Sequence, residues 1–192
     1  MWPTIQEQEM SEIMRLKRTL TDLALLGVLV SFPAVVCAQS GAARPDDVNT
    51  LDGIIKAYYE VVSGPEGVER DTERDHSLHH PDARAIITGV DEAGNPTINN
   101  MTLSEYHEGT RQNGNPAFWE HEIHRVTQRF GNVAHVWSTY AWYDTQDGPI
   151  KGRGINSIQL YHDGERWWIT AWIFDSERSD NPIPSEFLPP GR

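Results

Sequence analysis

Residues 118–175, FWEHEIHRVTQRFGNVAHVWSTYAWYDTQDGPIKGRGINSIQLYHDGERWWITAWIFD, decide the fold class. The segments Phe118–Arg129, Val133–Tyr143, Gly154–His162 and Arg166–Asp175 are rich in β-branched and aromatic residues, as strands are. Gly131-Asn132 and Asp163-Gly164 supply the positive-φ residues of tight hairpins, and Asp147-Gly148-Pro149 marks a longer connection. Four long strands joined in this way form an antiparallel meander.

Ahead of the meander the periodicity is helical. Val48, Leu51, Ile55, Tyr58 and Val62 recur at three- and four-residue spacing, with Asp46, Asp47 or Asn49 available as caps and Gly64-Pro65 as a stop. A second, exposed helix is expected over 66–80, ended by Pro81 and poor in apolar anchors, with Thr72 and Asp75 where large apolar residues would hold it. Short strands follow at Ala85–Thr88 and Thr97–Asn99, separated by a turn at Ala93–Pro96. Thr102 and Glu105 form a T-x-x-E capping box for a third helix from Leu103 to Gln112, closed by Gly114. The fold class is therefore α+β. About three helices precede a curved antiparallel sheet of four long strands, with short N-terminal strands beside them.

The N-terminus reads as a leader. Arg15, Lys17 and Arg18 precede an apolar run from Leu23 to Val36, shorter than the roughly 20 residues of a membrane-spanning helix, and Val36-Cys37-Ala38 suits cleavage before Gln39. Residues 1–38 are thus an extension and a cleavable signal peptide, with Met14 as an alternative start; 39–47 are a linker, 48–178 one domain and 179–192 a proline-rich tail. The expected location is exported, periplasmic or secreted, with no membrane association after cleavage. Cys37, the single cysteine, falls within the leader; lipid attachment there is the alternative, against which the bulky Val36 argues. The formal net charge is −12, and the acidic excess persists without the leader's basic residues, so nucleic acid is excluded as a partner.

The element order resembles the nuclear-transport-factor-2-like superfamily, also called SnoaL-like. So do the phrases Pro81-Asp82-Ala83, Phe130-Gly131-Asn132-Val133-Ala134-His135-Val136, Arg153-Gly154-Ile155-Asn156-Ser157 and Arg166-Trp167-Trp168-Ile169. The resemblance covers nearly all of the chain after the leader. It implies a cone-shaped domain in which the sheet wraps around the helices and leaves a conical pocket. Its members include isomerases, dehydratases, cyclases and non-catalytic binding modules, so fold leaves function open. Aligned on Asp82-Ala83, the general-base aspartate of the isomerases falls near Ile87, which cannot move a proton. Tyr58 lies near the place of their hydrogen-bonding tyrosine.

The ionisable residues of Trp119–Arg125 are the first chemical candidates. Strand alternation puts Glu120, Glu122 and His124 on one face, His121 and Arg125 on the other. The apolar residues do not choose between them, since Phe118 and Val126 favour one face and Trp119 and Ile123 the other. The Glu122 and His124 face is taken as the pocket side, giving a carboxylate–imidazole pair for acid–base work with Tyr58; a solvated, salt-bridged surface is the competing reading. His79, Tyr140, Asn156, Gln159 and Trp172 are the ligand-binding candidates, His79 as a pocket-mouth residue and the others as mid-strand positions. His79-His80 and His121/His124 diverge in direction, so no metal is expected, and no glycine-rich loop calls for a nucleotide cofactor. Trp137, Trp142, Trp167 and Trp168 exceed what one small core holds, and a wide aromatic outer sheet face would suit a homodimer. Two functions follow: an exported protein binding a small apolar ligand, or an acid–base enzyme (dehydratase, isomerase or cyclase) acting on an apolar or aromatic molecule. A dimeric interaction module is the third.

Overall fold

The computed structural model describes residues 43–190; the leader lies outside them. The elements run α1 (Pro45–Val48), α2 (Leu51–Val62), α3 (Thr72–Leu78), β1 (His79–Val90), β2 (Pro96–Thr102), α4 (Leu103–Gln112), β3 (Trp119–Phe130), β4 (Val133–Tyr143), β5 (Gly152–His162), β6 (Trp167–Ser176) and a final 3₁₀ turn, Ser185–Phe187. The strands form one mixed sheet in the order β2-β1-β6-β5-β4-β3, antiparallel except where β1 lies parallel to β6. The chain is α+β, with β3–β6 as the expected meander. Gly131 and Gly164 take φ of 56° and 108° at its two tight hairpins.

Helix α2 fills the concave side because its apolar stripe is continuous. Ile54, Ile55, Tyr58, Tyr59 and Val61 are buried against Val136, Ile158, Leu160, Ile169 and Trp172 of the sheet. Its cap is Thr50, whose hydroxyl accepts from the Gly53 amide; the upstream Asp46 and Asp47 instead belong to the separate turn α1. The Thr102–Glu105 capping box of α4 forms as the sequence requires.

The second helix is where the structure departs most from expectation. It stops at Leu78, and His79, His80 and Pro81 lie in β1, a strand of twelve residues in place of the short one expected. Pro81 is accommodated because β1 breaks register between His79 and Arg84, which releases the ladder hydrogen bond that proline cannot donate. Nor is the helix loosely held. Asp75 is only 1% exposed, with its carboxyl oxygens 3.1 Å from His79 Nδ1 and 3.0 Å from His107 Nε2 of α4. Burial pushes this carboxyl up, but attraction to the two imidazoles outweighs burial and holds it well below the usual carboxylate range. Arg74 ties the same helix to α1 and α2 by a bidentate contact with Asp47 (2.7 and 2.8 Å) and a contact with Glu60 (2.6 Å). Charged clamps do here what apolar anchors do elsewhere.

The tail crosses the outer face of the sheet. Thr139 donates its hydroxyl hydrogen to the Phe187 carbonyl at 2.6 Å, and the Phe187 ring lies 5.5 Å from that of Trp137. The tryptophans divide accordingly. Trp167 joins the core, and the partly buried Trp142 packs against it from the concave side. Trp137 lies under the tail, and Trp168 carries the Arg166 guanidinium 3.6 Å from its ring centroid.

Removing the Asp75 carboxylate takes a buried charge from beside two imidazoles, although His79 Nδ1 keeps the Asp75 backbone carbonyl at 2.9 Å. Asp75→Ala is expected to cost about 3–5 kcal/mol in chemical denaturation. The carboxylate's contribution is complete above its unfolded pKa, about 3.9, and is lost as pH falls toward its lower folded value. A loss below about 1 kcal/mol would show that the clamp does not hold α3.

Candidate active site

Sheet register decides which side chains enter the cone. On β4, alternation turns Val136, Ser138, Tyr140 and Trp142 inward, and on β3 Glu120 and Glu122 pair with Trp142 and Tyr140. A β-bulge then intervenes. Glu122 faces Tyr140 and His124 faces Thr139, so Ile123 has no partner of its own and the inside–outside phase reverses beyond it. His124 is thereby turned to the outer face, and Arg125 arrives beside Glu122 with Nε 2.8 Å and Nη2 2.6 Å from its two carboxyl oxygens. The expected Glu122–His124 pair does not exist. Phe118 and Val126, equal in parity, lie on opposite faces, and the conflicting apolar positions of this strand were the signature of the bulge.

The inner end of the cone is a cavity of about 250 Å³. Tyr58 and Val62 of α2, Ile87 of β1 and Tyr106 of α4 line one side; Phe118, Tyr140, Trp142, Trp172 and Phe174 line the sheet side. The polar groups among them are Glu120, Asn156 and Ser176. The aromatic wall is mutually braced, with Tyr58 and Tyr106 both edge-on to Trp172 at 6.0 and 5.2 Å. Gly154 makes the wall possible, because a Cβ there would collide with the Tyr140 hydroxyl that crosses it. Toward the surface a second cavity of about 450 Å³ is lined by Lys56, Tyr59, Glu60, Ser63, Glu122 and Arg125 among others. Glu120 borders both cavities.

Glu120 is 8% exposed, and no cation pairs with it among the described residues. Its backbone is fixed by Ser63, whose hydroxyl oxygen accepts from the Glu120 amide at 3.0 Å. Burial pushes the carboxyl up to about 8, with the Asn156 amide working against the rise. Around it the hydroxyls of Tyr58 and Tyr59 are pushed up by burial and by the nearby Glu120 charge, and burial takes that of Tyr140 to about 12. A hydrogen-bonded chain leads outward. Tyr58 donates to Asn156 Oδ1 (3.4 Å), Asn156 donates to the Tyr59 hydroxyl (3.2 Å), Tyr59 donates to Ser138 (2.6 Å), and Ser138 donates to Glu122.

Of the residues chosen from sequence, Tyr58, Tyr140, Asn156 and Trp172 meet in the inner cavity and Glu122 stands at its mouth. Gln159 is exposed on the outer face, where β5 alternation places it beside His135. His79 is not at the mouth but buried against Asp75, its ring 6.4 Å from that of Tyr58. Sequence reasoning passed over Glu120, although it put that residue on the correct face, and it missed Tyr106, which the α4 pattern marks as an aromatic on a mostly polar helix.

No family model and no curated protein matches the sequence. Solved structures do match it. The β subunit of a putative aromatic-ring-hydroxylating dioxygenase from Novosphingobium aromaticivorans superposes with a TM-score of 0.52 at 15% identity, covering 70% of this chain and 95% of its own. A function-unknown protein from Mycobacterium tuberculosis gives 0.50 at 15%, covering 70% and 75%. An NTF2-like protein from Cytophaga hutchinsonii gives 0.47 at 12%, covering 65% and 96%. At these identities the likeness is one of fold, and the fold is nuclear-transport-factor-2-like, or SnoaL-like.

The raised carboxyl has a consequence for stability. Between the unfolded glutamate value, about 4.3, and about 8 the folded state keeps a proton that the unfolded state has lost, so stability falls with rising pH by roughly 1.4 kcal/mol per unit and then levels. Glu120→Gln, which mimics the neutral acid, is expected to remove this decline when denaturation is followed from pH 5 to 9. Parallel curves for the two proteins would contradict the assignment.

Proposed function

Starting from a nuclear-transport-factor-2-like fold with an aromatic inner cavity, we propose that the chain binds a small, largely apolar molecule in the cone and that Glu120 exchanges a proton with it. The observation that carries this reading is a carboxyl buried among aromatic rings with no cation to balance it among the described residues. Such a site is costly to keep and is what acid–base catalysis requires. The cavity is smaller than those that take drug-sized ligands, which fits a mono- or bicyclic compound. Glu120 serves as donor in its neutral form and as acceptor once ionised, with a pKa close to working pH. Tyr58, Asn156 and Tyr140 orient the ligand, and Glu122 with Arg125 forms the entrance. Reactions within reach are isomerisation, dehydration and cyclisation. The leader supports an exported setting, periplasmic or secreted.

A carrier without chemistry is the second reading, favoured by Ile87. It lines the cavity where the resembling isomerases hold their base, and it offers no proton. Titrating small neutral aromatic compounds against the fluorescence of Trp142 and Trp172, then recovering them, separates the two. Catalysis is expected to yield altered compound from the wild type and none from Glu120→Gln, with affinity changed by less than about threefold, a shift of under 1 kcal/mol. Compound recovered unchanged from the wild type throughout the panel would leave only the carrier.

A further inference from the structure

The cavity has the composition of a cation receptor. Tyr58, Tyr106, Tyr140, Trp142, Trp172 and Phe174 surround one carboxyl. Ring faces attract a positive charge through their quadrupoles, and Trp and Tyr do so most strongly. Here the rings meet at steep angles, 67° for Tyr58 on Trp172, 84° for Tyr106 on Trp172 and 85° for Tyr140 on Phe174, so they present themselves in more than one plane. Among the described residues no counter-ion meets Glu120. Its nearby basic groups are engaged at the mouth, Arg125 with Glu122 and Asp52, and Lys56 with Glu60. The other buried carboxylates are by contrast paired, Asp75 with two imidazoles and Asp47 with Arg74. A formal charge of −12 adds long-range attraction for a positive ligand.

From this arrangement we infer that the ligand of the cone is an organic cation, a protonated amine or quaternary ammonium on a small apolar skeleton, whose positive charge completes Glu120 inside the aromatic cage. The inference rests on the cone being the ligand site, and it narrows the ligand's chemistry. An ammonium group desolvated among ring faces and paired with a carboxylate regains by cation–π and ion-pair attraction what it loses in water. A neutral ligand of the same shape leaves the carboxyl to remain protonated.

Binding is then linked to ionisation of Glu120. The titratable groups facing it are Tyr58 and Tyr59 from α2, Tyr106 from α4 and Tyr140 from β4, all with hydroxyls raised by burial. Lys56, Glu60, His121, Glu122 and Arg125 stand at the mouth. Below about 8, affinity for a cation should fall as protons compete for the carboxyl.

The test compares choline with its neutral isostere 3,3-dimethyl-1-butanol by calorimetry at pH 6 and pH 9. Choline is expected to bind at least about tenfold tighter than the alcohol at pH 9 and to weaken up to about a hundredfold at pH 6, while the alcohol changes little. Glu120→Gln should abolish both the preference and its pH dependence, which separates Glu120 from His121. Equal or tighter binding of the alcohol, or a preference that survives in Glu120→Gln, overturns the inference and leaves the cone as a ligand site. Binding of neither probe while neutral aromatics still bind overturns it as well. If no compound binds at all, the reading of the cone as a ligand site falls with it.

Discussion

Three carboxyl groups are buried among the described residues; Asp47 is paired with Arg74, and the other two, Asp75 and Glu120, are treated in opposite ways. Asp75 is given two imidazoles and becomes a strut between α3, β1 and α4. Glu120 is given aromatic rings, an amide and cavity space. An ionised carboxylate in such surroundings costs several kcal/mol, and the group meets that cost by keeping its proton to higher pH. The remainder of the site is arranged around this unmet requirement: the wall is braced ring against ring, the backbone of Glu120 is pinned by Ser63, and Lys56, Glu60, Glu122 and Arg125 stand at the mouth.

The separation of inner cavity from mouth depends on one extra residue. Without the bulge at Ile123, strict alternation would carry His124 inward beside Glu122 and send Arg125 to the outer face. With it, Glu122 is paired to Arg125 and tied through Ser138 and Tyr59 to Asn156. The entrance is thereby neutralised internally, and Glu120 is left as the unpaired acid of the cone. A bulge near a functional site commonly re-aims a side chain, and here it re-aims two.

Much of this was legible in the sequence. The meander follows from alternating β-branched and aromatic residues between glycine-bearing turns, and α4 from its capping box, because both signals are local. The start of β1 was hidden because Pro81 reads as a helix stop, whereas the strand absorbs it at a register break. The tight seating of α3 was hidden because its anchors are charged and their partners, His107 above all, are distant in sequence. Helix stripe and strand position pointed Tyr58, Tyr140, Asn156 and Trp172 to the concave side, and all four line the inner cavity. The inward placement of His124 failed because a single-residue bulge reverses every later side chain. The contradictory apolar positions recorded that reversal, but period-two reasoning has no place for it.

Glu120 can be observed directly. Labelling the glutamate side chains with carbon-13 and following the carboxyl resonances by NMR from pH 3 to 10 reports each acid in turn. Among the glutamates one carboxyl, absent from Glu120→Gln, is expected to titrate near 8. A Glu120 resonance that titrates near the value of a free glutamate, about 4.3, would mean that the cone is wet and the carboxyl solvated, and the central claim would fail.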